Sequence, residues 1–149
     1  MLAKLVAQAS QMTTLTLSQL NEIFAYARAA DPAECCGLIG GADDGTARTI
    51  YPMRNLAADK IVSYEAAPKD LLAAQRLMRE RGEELLAIYH SHPLATEPTP
   101  SERDVRQAYH PKAVYLIVGL AGPEPVMRAF QIWKRERRWQ RVEYVITDE

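Results

Sequence analysis

Cysteine is almost absent from this 149-residue chain, and long apolar runs are missing altogether. The two cysteines, Cys35 and Cys36, are adjacent. Neighbours on an extended chain point to opposite faces, so these two do not readily bond each other. Two thiols without a framework exclude a disulfide-stapled miniature and fit a reducing compartment, so a cytoplasmic location is expected. No apolar stretch approaches the roughly 18 residues of a membrane-spanning helix. Eighteen basic side chains against nineteen acidic ones leave a formal charge of −1. That balance lacks the basic excess which recognition of phosphate backbones requires. At the start of the chain, Lys4 splits the apolar residues and leaves only Leu5, Val6 and Ala7 together. A secretory signal needs about 7–15 apolar residues there. Residues 1–12 therefore read as a disordered leader to a single domain over 13–149, with either Met1 or Met12 as the start.

What is present suffices for a core. The chain is 48% hydrophobic, and at this length about two-thirds of the extended-chain surface is buried on folding. Thr16 and Gln19 form a capping-box pattern ahead of Leu20, Ile23, Phe24 and Ala27, which predicts a helix ending near Ala30 before Asp31-Pro32. Residues 36–39 read as a buried strand, Asp43-Asp44-Gly45 as a turn, and residues 49–53 as its partner strand. Pro68 suits the first turn of a helix with Leu71, Leu72, Gln75 and Met78 on one side and Gly82 as its stop. A strand over 85–89, a Pro-rich loop, a short helix over 101–109 and a strand over 114–118 follow. The last third reads as a hairpin, 127–133 and 139–146 about a charged turn. These elements predict an α+β domain with a mixed, mainly antiparallel sheet flanked by helices.

Two of the three histidines form His90-Ser91-His92 at the end of an apolar strand. Period-two geometry puts both imidazoles on one face, and Pro93 stops the ladder. Two convergent imidazoles are half of a zinc site, although two exposed histidines at a loop entrance fit the same pattern. Further on, Ser101-Glu102-Arg103-Asp104 is a helix N-terminus, with Ser101 as cap and an acid three residues later. A carboxylate fixed in a first helical turn can also serve as a third ligand. Two imidazoles and one carboxylate leave a position open for water, the catalytic rather than the closed arrangement. Glu34, at the junction of the first helix and the next strand, is a candidate base for that water, though such a glutamate is ordinarily solvated.

The spacing His90-Ser91-His92-Pro93, seven residues, Ser101, two residues, Asp104 resembles the signature of JAMM (MPN-domain) metalloproteases. Glu34-Cys35-Cys36-Gly37-Leu38 is similar to the family's glutamate strand, and residues 52–55 resemble a family segment after the second strand. The resemblance implies a JAMM/MPN-like fold with a cytidine-deaminase-like arrangement. It implies that His90, His92 and Asp104 bind one Zn²⁺. Glu34 would then be general base and proton donor, and Ser101 would hydrogen-bond the oxyanion. For a small stand-alone chain of bacterial type it further implies a peptidase acting after the C-terminal Gly-Gly of a ubiquitin-like or sulfur-carrier protein. A non-catalytic MPN-type scaffold and a metal-dependent hydrolase of a small amide are the alternatives.

Other features read as structural. Cys35 and Cys36 belong to a buried strand, and Ser91 points away from the metal side. Residues 134–138 make a solvated turn, with Trp133 and Trp139 forming a cross-strand cluster beside it. His110 is a polar residue closing the short helix. The Pro93–Pro100 loop borders the metal if the ligands are right, and would form a wall against substrate.

Overall fold

The chain builds a six-stranded sheet with helices on both faces, described over residues 12–148 in this computed structural model. The expected leader, Met12 apart, lies outside the described residues. In chain order the elements are β1 (Thr14–Thr16), α1 (Leu17–Ala30), β2 (Cys36–Gly41), β3 (Ala47–Met53), α2 (Pro68–Arg81), β4 (Glu84–His92), α3 (Glu102–Arg106), β5 (Val114–Gly119), β6 (Val126–Trp133), β7 (Arg138–Val142) and β8 (Val145–Thr147). The sheet runs β3-β2-β4-β5-β6-β7. Only β4 and β5 pair parallel, joined by the crossover through α3. A separate parallel pair, β1 with β8, joins sequence-distant segments. Among the described residues no helix is long and apolar enough to cross a membrane.

Strand alternation divides the core in two. Ile39, Ala87, Tyr89, Leu116 and Val118 pack with Leu15, Ile23 and Ala27 on the α1 side. Leu38, Ile88, Tyr115 and Ile117 pack with Ala74, Met78 and Val105 on the side of α2 and α3. Burying each of the large aliphatic side chains contributes roughly 1.5–3 kcal/mol. Gly37 sits opposite Tyr89 in the β2–β4 register, and a Cβ there would meet the Tyr89 ring at 2.3 Å. The ring therefore lies across the glycine, and no other residue fits that position unshifted.

Local signals in the sequence place the helix ends. Thr16 Oγ1 accepts from the Gln19 amide and Gln19 Oε1 accepts from the Thr16 amide, closing the capping box. Gly82, at φ 66°, ends α2 in the left-handed conformation that favours glycine. Several expectations need correction. α2 turns Ala74 and Met78 inward, whereas Leu72 faces solvent. β4 runs on to His92 because β2 and β5 both pair with its end. α3 spans five residues rather than nine. The strand expected over 139–146 is broken: β7 ends at Val142, and Tyr144 turns back to donate its hydroxyl to the Met127 carbonyl at 2.7 Å. Trp139 stands against Phe130 edge-on at 5.3 Å, while Trp133 stacks with the Arg138 guanidinium, so the two tryptophans form no cluster.

Candidate active site

β4 carries His90 and His92 on the face that looks toward α3, and α3 brings Asp104 to meet them. Their ligand atoms converge on one point. His90 Nε2 lies 3.1 Å from His92 Nε2, and Asp104 Oδ2 lies 3.2 Å and 3.0 Å from the two. Tetrahedral zinc with metal–nitrogen distances of about 2.05 Å requires edges of about 3.3 Å, so this triangle has the size of a zinc face. Two imidazole nitrogens facing each other beside one carboxylate oxygen also lack protons for three satisfied contacts, which a cation resolves. The donor set thus fits a zinc ion. His90 is fully buried, with the Tyr64 ring stacked on it at 4.6 Å and its Nδ1 without a hydrogen-bond partner among the described residues.

Ser101 and Asp104 form a second capping box. The Ser101 hydroxyl accepts from the Asp104 amide at 3.1 Å, and Asp104 Oδ2 accepts from the Ser101 amide at 2.9 Å. The cap aims the carboxylate at the histidines and leaves the Ser101 residue exposed. Burial pushes the Asp104 carboxyl up. The charge and hydrogen bond of His90, with the bonds from His92 and Ser101, outweigh burial and hold it well below the usual carboxylate range. For His92, burial lowers the imidazole, but the Asp104 bond and charge win and its pKa is raised.

Glu34 lies just before β2, buried to 6% exposure, with a carboxylate oxygen within 4.8 Å of the ligand nitrogens of His90 and His92. Burial raises its pKa to about 7; His92 opposes the rise and the Asp104 charge adds to it. Its backbone is held on both sides. The Glu34 amide donates to the Lys60 carbonyl at 2.7 Å, and the Glu34 carbonyl accepts from Asn55 Nδ2 at 3.0 Å. Asn55 uses its whole side chain: Nδ2 also donates to the Ser63 carbonyl, and Oδ1 accepts from the Ala57 and Glu65 amides, each at 3.0 Å. On the opposite face of β4, the Ser91 hydroxyl accepts from the Cys35 amide at 2.8 Å, while the Ser91 amide donates to the Cys35 carbonyl. Ser91 therefore locks the residue after Glu34 to the strand that bears the histidines.

All five singled-out residues thus meet in one place. Around them, the loop after β4 is held down by the Ala121 amide on the Ala95 carbonyl and by Arg128 on Glu97 at 2.5 Å. A cavity of about 520 Å³ lies beside the centre, with Tyr64, Tyr109 and His110 in its walls. His110 is exposed there, its amide donating to the Tyr115 hydroxyl. Cys35 and Cys36 are free and buried, as a structural role requires. Two residues escaped the sequence reading. Tyr64 carries no local signal, and Asn55 stood only within a segment noted for resemblance.

Comparison with known proteins gives the family and the fold. The family described as prokaryotic homologs of the JAB domain matches residues 16–136. The desampylase of Haloferax volcanii is 36% identical over 115 residues, 72% of this chain and 81% of its own. The CysO-cysteine peptidase of Mycobacterium tuberculosis is 37% identical over 106 residues, 70% of each. A protein of Desulfitobacterium hafniense solved in solution superposes with a TM-score of 0.81 at 38% identity, covering 93% of this chain and 94% of the other.

Proposed function

Because the chain belongs to the prokaryotic JAB-domain family and is a hydrolase, we propose that it is a zinc-dependent peptidase acting after a C-terminal Gly-Gly of a ubiquitin-like or sulfur-carrier protein. The observation that carries the reading is the 3.0–3.2 Å triangle of His90, His92 and Asp104 with buried Glu34 beside it. His90 and His92, through Nε2, and Asp104, through Oδ2, would hold the ion. A zinc ion held by them would supply Lewis acidity to the scissile carbonyl and acidify water to a pKa of about 7. Glu34, poised at about 7, takes a proton from the attacking water and returns it to the departing amine. The Ser101 hydroxyl turns toward the oxyanion, a contact that contributes a few kcal/mol in such sites (~3). The cavity beside Tyr64 and Tyr109 receives the tail, and residues without Cβ let the backbone approach closely. The names of two relatives, a desampylase and a CysO-cysteine peptidase, support the substrate class.

Elemental analysis of untagged protein prepared without chelators tests this reading. Wild type should carry about one zinc per chain, His90→Ala/His92→Ala almost none, and Glu34→Gln full metal without turnover on a Gly-Gly-extended carrier protein. Wild type that refuses zinc on titration, or active Glu34→Gln protein, would overturn it.

A further inference from the structure

A second cavity, of about 480 Å³, opens at Ser101 and is bounded by Pro100, Glu102, Arg106, Arg137 and Trp139. It shares no lining residue with the cavity beside Tyr64. It continues along the β6–β7 turn past Lys134 and Arg135. A peptide crossing the centre needs room on both sides of the scissile bond. If the tail occupies the Tyr64 side, the flank at Ser101 is left for the departing fragment.

That flank carries two arginines against one acid, Glu102, whose side chain is almost wholly in solvent. Arg137 adopts φ 52°, a left-handed conformation that L side chains rarely adopt and that turns of this kind give to glycine or asparagine. The β6–β7 turn thus holds an arginine where backbone preference calls for glycine, and that residue lines the cavity. Among the described residues Arg137 makes no ion pair, and Arg106 has only a 4.0 Å contact with Glu102, whose side chain is almost wholly in solvent. Of the neighbouring cations, Lys134 lies over the Tyr109 ring and Arg138 over Trp133, while Arg135 lines only the continuation along the turn and not the cavity at Ser101. Two guanidiniums without strong partners, presented from different elements beside a flat indole, suit a carboxylate, which accepts paired N–H donors.

We propose that Arg106 and Arg137 form a carboxylate subsite for the leaving fragment. The subsite selects adducts in which an amino acid is joined through its α-amine and keeps its α-carboxylate free. A lysine side chain of a second folded protein offers no carboxylate so near the cut and is disfavoured. This proposal rests on the peptidase reading above.

The test compares two semisynthetic substrates on zinc-loaded enzyme, a carrier protein ending Gly-Gly-Ala with a free carboxylate and the same protein ending in the carboxamide. Wild type should favour the acid at least tenfold in kcat/KM, through KM. Arg137→Ala and Arg106→Ala should each reduce that ratio several-fold, and the double variant should bring it close to one, while Arg76→Ala on α2 keeps it. A wild-type ratio near one, or a ratio untouched in the double variant, would overturn the subsite. A zinc-loaded enzyme that cuts neither substrate refutes the peptidase reading instead. In that event the arginine side-chain Nε–H resonances decide the subsite: L-alanine should shift those of Arg106 and Arg137 where L-alaninamide does not. Equal effects of the two probes, or none, would overturn it.

Discussion

Asn55→Ala should separate activity from metal binding. The side chain makes four hydrogen bonds of 3.0 Å, to Glu34, Ser63, Ala57 and Glu65. A net contribution of about 1 kcal/mol each sets a ceiling of about 4 kcal/mol. Glu65 is exposed and water can replace its bond, so a loss of about 2–3 kcal/mol is expected. For a chain of 149 residues that corresponds to a drop of roughly 5–10 °C in Tm. The larger effect is on rate. Without Asn55 Nδ2 the Glu34 carbonyl has lost its anchor, and displacement of a reacting group by about 1 Å lowers turnover roughly 10²-fold. None of His90, His92 and Asp104 bonds to Asn55, so zinc content should stay near one per chain. Asn55→Asp should fall at least as far, because it replaces two donors by a carboxylate facing two carbonyls. Kinetics on a Gly-Gly-extended carrier, thermal melts and elemental analysis on the same preparations check this. Turnover within about threefold of wild type would refute the reasoning, as would activity lost only in step with zinc.

Two further substitutions probe the burial of polar groups. Tyr89→Phe removes a buried hydroxyl that has no hydrogen-bond partner among the described residues, so Tm should rise by a few degrees (about 1 kcal/mol) rather than fall. A clear drop in the melt would show that the hydroxyl has a partner. In metal-free protein, Glu34→Gln should change stability in a pH-dependent way. Burial raises the Glu34 carboxyl from 4.5 to about 7, so the folded state holds the proton more tightly than the unfolded chain. Wild type then keeps that stabilisation below about 4.5 and loses it as pH rises through about 7. Gln stays neutral, so the variant should match wild type at pH 4 and melt higher at pH 8–9; equal melting temperatures across that range would contradict the assignment.

How much of this was legible in the sequence depended on how local each feature is. Thr16, Gln19, Pro68 and Gly82 announce helix ends because each satisfies or ends a backbone pattern within four residues. The same holds for Ser101 and Asp104, whose cap fixes the carboxylate. His90 and His92 could be placed on one face by strand alternation alone. The break after Val142 could not be read, since residues 143–144 hold neither glycine nor proline and the turn depends on Tyr144 reaching Met127. On α2 the spacing places Leu71 and Met78 correctly but not Leu72, which is apolar enough to bury yet faces solvent, while Ala74 and Leu77 take the remaining places against the sheet. Asn55 was invisible as an anchor. Its four partners lie up to 21 residues away, and no periodicity marks a side chain that bonds loop backbone.

The β1–β8 pair sets the order in which the molecule comes apart. Bringing Thr14 beside Val145 closes a loop of about 130 residues, with an entropic penalty on the order of 4 kcal/mol. Three registered residues and the Val145 amide on the Thr13 carbonyl do not offset that alone; they hold only once the sheet and α1 have positioned both ends. Such a strap is a sub-global opening unit, whose amides exchange with solvent well before those of β4 and β5. Opening it uncovers Leu15 yet leaves the β2–β4–β5 centre and its ligand triangle paired. Breathing at the chain's two ends is thereby uncoupled from the geometry of the chemistry.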